Sequence, residues 1–157
     1  MKLNRSQLLI SVIESAPQQD YDPDLHYISA QLVDKSRRKL LNSVPGHFPN
    51  TQGHHVTLIA KPTEDDIERF RRHVGKQVNF HATHHASDTK LGAQAVRVRG
   101  LERYSDKPHH HVTISTNQGV PAHASNEVLG QQKGERLKKW LSLTGRIDIT
   151  PRTGRLQ

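Results

Sequence analysis

The sequence predicts an α+β fold built on an antiparallel sheet. Strand-like and helix-like patterns alternate along the chain, and two strand-like segments, 77–86 and 91–99, flank the polar turn 87–90 as in a β-hairpin. Strands joined by a hairpin run antiparallel, so an α+β arrangement is favoured over a doubly wound parallel sheet. The 157 residues correspond to about one domain.

The chain begins with a segment whose apolar residues follow a helical spacing. This stripe consists of Leu8, Leu9, Val12 and Ile13. It lies within residues 4–16, and Pro17 ends the pattern. We therefore assign residues 1–20 to an N-terminal amphipathic helix and linker, and residues 21–157 to a single domain.

Local patterns place the remaining elements. Strands are predicted at 25–33, 54–60, 77–86, 91–99, 110–116 and 146–150, and helices at 34–44, 63–74 and 125–141. The helix at 63–74 opens with Thr63 and three acidic residues, which suit an N-cap and the positive end of a helix. Pro45 and Gly46 end the preceding helix, whereas Gly130 and Gly134 weaken the last one.

Composition limits the classes of function. The chain has no cysteine, which excludes disulfides, thiolate zinc sites and a Cys nucleophile. A net charge of +8 favours a polyanionic partner such as nucleic acid or a nucleotide. No apolar run approaches the roughly 18 residues of a membrane span, and no signal peptide is recognisable. We therefore expect a cytoplasmic chain without membrane contact, and nothing indicates an obligatory protein partner.

A five-residue pattern occurs twice, each time where a loop leads into an apolar strand. The two copies are His54-His55-Val56-Thr57-Leu58 and His110-His111-Val112-Thr113-Ile114. Because side chains alternate along a strand, the second His and the Thr of each copy share one face, and the aliphatic residues share the buried face. By the same alternation, His54 and His110 face away from the motif side. A third His-x-Thr match, at His81, lacks this context, and we interpret it as a chance match.

The two copies supply the groups that phosphodiester cleavage without a metal requires. If the two strands lie side by side, two imidazoles and two hydroxyls meet in one groove. One neutral imidazole accepts a proton from the attacking water, and one imidazolium donates a proton to the departing ribose oxygen. The threonine hydroxyls donate hydrogen bonds to the non-bridging phosphate oxygens. Their symmetry leaves open which histidine is the acid and which is the base.

These residues resemble the two-histidine phosphoesterase superfamily, whose signature is a pair of His-x-Thr/Ser motifs on strands of two similar lobes. The second motif, followed by Gly119-Val120 and Ser125-Asn126, is similar to the cyclic phosphodiesterase domain of plant and fungal tRNA ligases and to related stand-alone RNA-repair proteins. The resemblance implies two pseudo-symmetric lobes of antiparallel sheet with helices packed outside, so that residues 21–157 form a single bilobed phosphoesterase domain.

The resemblance also implies an activity. It is the hydrolysis of a 2′,3′-cyclic phosphate on an RNA end or a small nucleotide, giving a 2′-phosphate, with no metal or other cofactor. In that case His55 and His111 are catalytic, and Thr57 and Thr113 hold the phosphate. Members of the superfamily also cleave cyclic oligonucleotides and ADP-ribose derivatives, so those substrates stay open.

Two interpretations from other classes also stay open. The chain could be an RNA-binding module without turnover, or a histidine-rich metal-binding protein, since it contains 12 histidines. The histidine clusters lack the partner spacing of a metal site, so we assign no metal ligands.

Several residues outside the motifs are candidates for substrate contact or for the core. Tyr104 precedes the second motif, Lys61 follows the first, and Ser115 lies in the second motif strand; we expect these three to contact substrate. Phe80 and Trp140 are expected in the core. A basic cluster at Lys133, Arg136, Lys138 and Lys139 is interpreted as the solvated face of the last helix, with an extension of the binding surface as the alternative.

Overall fold

A computed structural model describes residues 26–105 and 107–151. The elements are β1 (His26–Leu32), α1 (Asp34–Ser43), β2 (Asn50–Thr51), β3 (His55–Ile59), α2 (Glu64–Arg71), β4 (Gln77–Asp88), β5 (Ala93–Arg99), β6 (His110–Thr116), α3 (Ala124–Gln131) and β7 (Glu135–Pro151). The helix predicted at 4–16 lies outside the described residues.

The described strands form one sheet in which neighbouring strands run antiparallel. Its order is β2-β6-β3-β1-β7-β4-β5, and β5 also pairs with β6, which closes six of the strands into a barrel. The prediction of an α+β fold with an antiparallel sheet is therefore confirmed, including the hairpin between β4 and β5. All of these strands belong to the same sheet, and the division into two pseudo-symmetric lobes stays a prediction.

Where alternation or capping signals are clear, the predicted elements lie close to those of the structure. The strand predicted at 110–116 coincides with β6. Helix α2 begins with the expected cap: the Asp66 backbone N–H donates to Thr63 Oγ1 at 3.1 Å, and the Thr63 N–H donates to Asp66 Oδ2 at 2.9 Å. These signals are local in sequence, so they can be recognised without knowledge of the sheet.

The helix predicted at 125–141 is wrong in its second half. Helix α3 ends at Gln131, and β7 begins at Glu135 and pairs with both β4 and β1. Gly134 marks the change, because its φ of +91° is incompatible with helix, and a Cβ there would lie 2.5 Å from the His85 carbonyl oxygen. The gain from pairing along β4 outweighs the local helical pattern.

The core contains Phe80, as expected, but not Trp140. Phe80 is fully buried, whereas Trp140 is 48% exposed. The reason is the strand period of β7: Leu141 and Leu143 pack towards the core, and Trp140 is adjacent to Leu141 in the chain and points away from it. The Trp140 ring instead contacts His81, with ring centroids 5.8 Å apart.

Within the described ranges, none of the helices is both long and apolar enough to cross a bilayer.

Candidate active site

The two motif strands are neighbours in the sheet. Strands β3 and β6 run antiparallel, with Val56 and Val112 as register partners. Both valines are fully buried in the core, so the residues before and after each of them project from the opposite face. Antiparallel register then places the His of each motif across from the Thr of the other. The pairing of the two central valines thus brings the His and Thr residues of both motifs together on one face of the sheet.

The polar side chains of both motifs line one cavity, of about 400 Å³. Its wall includes His55, Thr57, His111 and Thr113, which are the four residues that the sequence predicts as catalytic or phosphate-binding. The rest of the wall is formed by Tyr27, Gln52, His54, Ala60, Lys107, Ala122, His123 and Asn126. We refer to this space as the motif cavity.

Burial holds both motif histidines in the neutral form. It lowers the pKa of His55 to about 4, with a smaller contribution from His54. The pKa of His111 is lowered to about 3, first by burial and then by the charge of Lys107 and by neighbouring histidines, among them His55. Both imidazoles are therefore unprotonated at pH 7 in the free protein.

The surroundings of the two rings restrict how they exchange protons. The Nδ1 atom of His111 is buried and has no hydrogen-bond partner among the described residues, so proton exchange with a molecule in the cavity falls to Nε2. The ring of Tyr27 lies 5.4 Å from that of His55, centroid to centroid, and covers part of this histidine.

The Thr113 hydroxyl is held by the segment at the start of α3. Its Oγ1 lies 2.9 Å from the hydroxyl of Ser125, which is fully buried, and 3.3 Å from the carbonyl oxygen of Ala122. When Thr113 donates to the carbonyl, the Ser125 hydroxyl is the donor in the other bond. This arrangement keeps Thr113 Oγ1 in place at the wall of the motif cavity.

Sequence reasoning missed Lys107. It lies in the turn before β6, lines the motif cavity and has a pKa lowered by burial. Its charge acts on His111, which places a cation near this imidazole. The only signal in the sequence was its position four residues before the motif histidine, between the strands predicted at 91–99 and 110–116.

The three further residues that were expected to contact substrate do not line the motif cavity. Tyr104 packs against Phe70, with ring centroids 6.4 Å apart, and lines a different cavity. Lys61 is exposed beyond the end of β3 and is not part of the wall.

Ser115 lies on the same face of β6 as the motif residues but is fully buried, because the segment that contains Gly46 covers it. Its hydroxyl donates to Gln94 Oε1 and accepts the backbone N–H groups of His47 and Phe48, each at 3.1 Å. These bonds use all the hydrogen-bonding capacity of the Ser115 hydroxyl within the fold, so its role is structural.

The histidines next to the motifs differ from each other. His110 is buried on the face opposite the cavity, as alternation predicts. His54 precedes the first residue of β3, and the prediction that it faces away is wrong, because it lines the motif cavity. The strand alternation does not extend to this residue. His81 lies on β4 and is absent from the cavity wall.

In the part of the chain that the structure describes, no group of three or more His, Asp or Glu side chains is arranged to hold a metal ion.

No protein-family model matches this chain, and no curated protein matches it significantly. The functional assignment therefore rests on the residues of the motif cavity.

Proposed function

We propose that the protein is a phosphodiesterase that uses two histidines, without a metal or another cofactor, to hydrolyse a 2′,3′-cyclic phosphate on an RNA end or a nucleotide. The observation that carries this proposal is the meeting of His55, His111, Thr57 and Thr113 at one cavity of about 400 Å³. This set contains a proton acceptor, a proton donor and two hydroxyls for the phosphate oxygens, and Thr113 turns its proton from the Ala122 carbonyl to the phosphate when substrate binds. The resemblance to two-histidine phosphoesterases is part of the same proposal.

The reaction balances with these groups alone. A neutral imidazole removes a proton from water, and the water oxygen forms a bond to phosphorus. The bond between phosphorus and the ribose 3′ oxygen breaks, and the second imidazole, protonated, gives its proton to that oxygen. The product carries a 2′-phosphate and a free 3′-hydroxyl. One histidine gains a proton and the other loses one, so the two have exchanged protonation states at the end of the reaction. Proton exchange with solvent restores the starting states.

The environment of each histidine supports an assignment of acid and base. The pKa of His111 is lowered by the cation of Lys107 in addition to burial, which disfavours its protonated form. For His55 the contribution after burial comes from His54. We therefore assign the general base to His111 and the general acid to His55. The negative charge of a bound phosphodiester raises the pKa of an adjacent imidazole, and this supplies the protonated acid.

Lys107 and the two threonines provide the remaining electrostatic support. A half-buried cation beside the reacting phosphate stabilises the negative charge that increases on its oxygens during attack. Thr113 is held by the Ser125 hydroxyl, so its position is set before substrate binds.

The assay that tests the proposal is hydrolysis of a short RNA ending in a 2′,3′-cyclic phosphate in excess EDTA. The expected product is a 2′-phosphate, identified by its mass and by its sensitivity to phosphatase. A parallel panel contains cyclic oligonucleotides and an ADP-ribose cyclic phosphate. Turnover of those compounds alone would support the two-histidine mechanism and show that the substrate is not an RNA end. Binding of RNA without turnover of any substrate would contradict the enzymatic proposal and favour a binding module.

A further inference from the structure

A second cavity adjoins the motif cavity through Lys107. Its volume is about 690 Å³, and Lys107 belongs to the wall of both. The cationic side chains of its wall are Arg97, Arg99, Lys107, Lys133 and Arg136. Histidines 84, 109 and 110 also line it, as do Glu102 and Trp140. We refer to it as the basic cavity.

The positive charges of the basic cavity act on groups inside it. The pKa of His84 is lowered first by burial and then by four cations, which are Lys133, Arg136, Arg97 and Arg99. The pKa of His109 is lowered by burial and by Arg97 and Lys107. The charges thus converge on a common space.

The basic cavity contains little negative charge to balance these cations. Glu102 is the acidic residue of the wall, and its Oε1 accepts the backbone N–H of Gly100 at 3.0 Å. The ion pairs found within residues 26–105 and 107–151 join Arg69 to Asp66 and Arg71 to Glu68, away from this wall. Except for Arg97, whose guanidinium donates to backbone carbonyls, the cations of the basic cavity are therefore available to an anionic ligand.

One of the arginines shapes the cavity. The Arg97 guanidinium donates to the carbonyl oxygens of Leu129 at 2.7 Å and Lys133 at 3.0 Å. These bonds fix the segment between α3 and β7, which carries Lys133, against β5. Lys133 itself is exposed, and so is Arg136 three residues later; both line the basic cavity. Arg97 thus has a structural role, whereas the charged groups of Lys133 and Arg136 are accessible to a ligand.

Trp140 adds an aromatic surface to the same wall. It is 48% exposed, although a large aromatic side chain gains most by full burial. Exposed aromatic rings beside a cationic groove are the arrangement with which proteins stack the bases of single-stranded nucleic acid.

We infer that the basic cavity binds the nucleotides on the 5′ side of the reacting end, so that the substrate is single-stranded RNA and not a mononucleotide. This inference rests on the proposed function and specifies its substrate. A cyclic phosphate terminates a strand at its 3′ end, so the rest of the strand leaves the motif cavity in the 5′ direction. Lys107 borders both spaces, which lets consecutive phosphates occupy them, with Lys133 and Arg136 on the phosphates and Trp140 on a base.

The test compares a short RNA ending in a 2′,3′-cyclic phosphate with the cyclic mononucleotide of the same base. We expect the wild type to have a kcat/KM for RNA about tenfold or more above that for the mononucleotide. The double variant Lys133→Gln/Arg136→Gln should lose about tenfold or more on RNA and nothing on the mononucleotide. Its salt slope for RNA should fall by roughly 1.4, since each phosphate contact on a single strand contributes about 0.7.

Two further variants sharpen the comparison. Trp140→Leu should lower kcat/KM for RNA by about fivefold or more and leave the mononucleotide unaffected, because it removes stacking and no charge. Lys35→Gln/Arg38→Gln is the matched control: it removes the same charge from exposed positions of α1, and both substrates should react as with the wild type.

Equal kcat/KM values for RNA and mononucleotide, unchanged in the Lys133/Arg136 variant, would overturn the inference. If neither substrate reacts, the proposed function fails and the basic cavity is judged separately by binding of the same RNA with a 3′-phosphate. Binding that is about tenfold weaker in this variant than in the α1 control would still support the RNA site. Equal binding by both would overturn it.

Discussion

At the scale of single residues, the notable feature of the motif cavity is that both candidate catalytic histidines are neutral in the free protein. The pKa values of about 4 for His55 and about 3 for His111 follow mainly from burial. Acid–base cleavage needs one proton on the pair, and the substrate phosphate must stabilise it. Substrate binding and protonation of the acid are therefore coupled.

This coupling predicts an acidic pH dependence. The value of kcat/KM reflects the protonation of the free enzyme. It should fall about tenfold per pH unit between about pH 5 and about pH 8, because the fraction of enzyme with one proton on the His55–His111 pair falls at that rate. The kcat profile should extend to higher pH, because bound phosphate raises the pKa of the acid. Initial rates on a cyclic mononucleotide across this range measure both. A kcat/KM that does not change over these pH values would contradict the assigned environments.

Individual residues also show where sequence reasoning succeeds. The four motif residues could be predicted because a short pattern, repeated in two strands, specifies both the chemistry and the face on which it lies. Ser115 could not be placed in the same way. Ser115 lies on the same face of β6 as the motif residues, but a segment distant in sequence covers it and forms hydrogen bonds with its hydroxyl.

At the scale of elements, the junction of α3 and β7 sets the position of the basic cavity. The sequence pattern here was ambiguous, since Leu137 and Leu141 satisfy a helical spacing as well as a strand period. In the structure this segment is a strand because β7 pairs with β4. This pairing is a long-range contact, so the local sequence pattern does not indicate it. Lys133 and Arg136 thereby line a cavity and do not lie on the predicted solvated face of a helix. Trp140, which was predicted in the core, lines the same cavity.

Two glycines near this junction should respond in opposite ways to alanine. Gly134→Ala should destabilise the fold by about 2 kcal/mol or more, because the left-handed φ disfavours a side chain and the new Cβ would meet the His85 carbonyl. Gly130→Ala should be neutral or stabilise by up to about 1 kcal/mol, since Gly130 is helical and a Cβ there meets nothing within 4 Å. Urea unfolding of both variants provides the comparison, and a loss at Gly130 equal to that at Gly134 would contradict this description.

At the scale of the whole molecule, the order of the strands in the sheet creates the candidate site. Strands β3 and β6 are separated by a helix and two strands in the chain, yet they are neighbours in the barrel. Periodicity predicts each strand, but it contains no information on strand order, so the meeting of the two motifs could be expected only from their likeness. Lys107 was missed for the same reason, because its role depends on the turn that brings it between two cavities.

The central claim is that the paired motifs form a catalytic site, and the chain provides its own control for it. His55→Ala and His111→Ala should each lower the rate on a 2′,3′-cyclic mononucleotide by about 10² or more, with the fold retained by circular dichroism. His81→Ala, in the third His-x-Thr match on β4, should keep the wild-type rate, because it lies outside the motif cavity. A rate within a few-fold of wild type in either motif variant, or an equal loss in His81→Ala, would contradict the account.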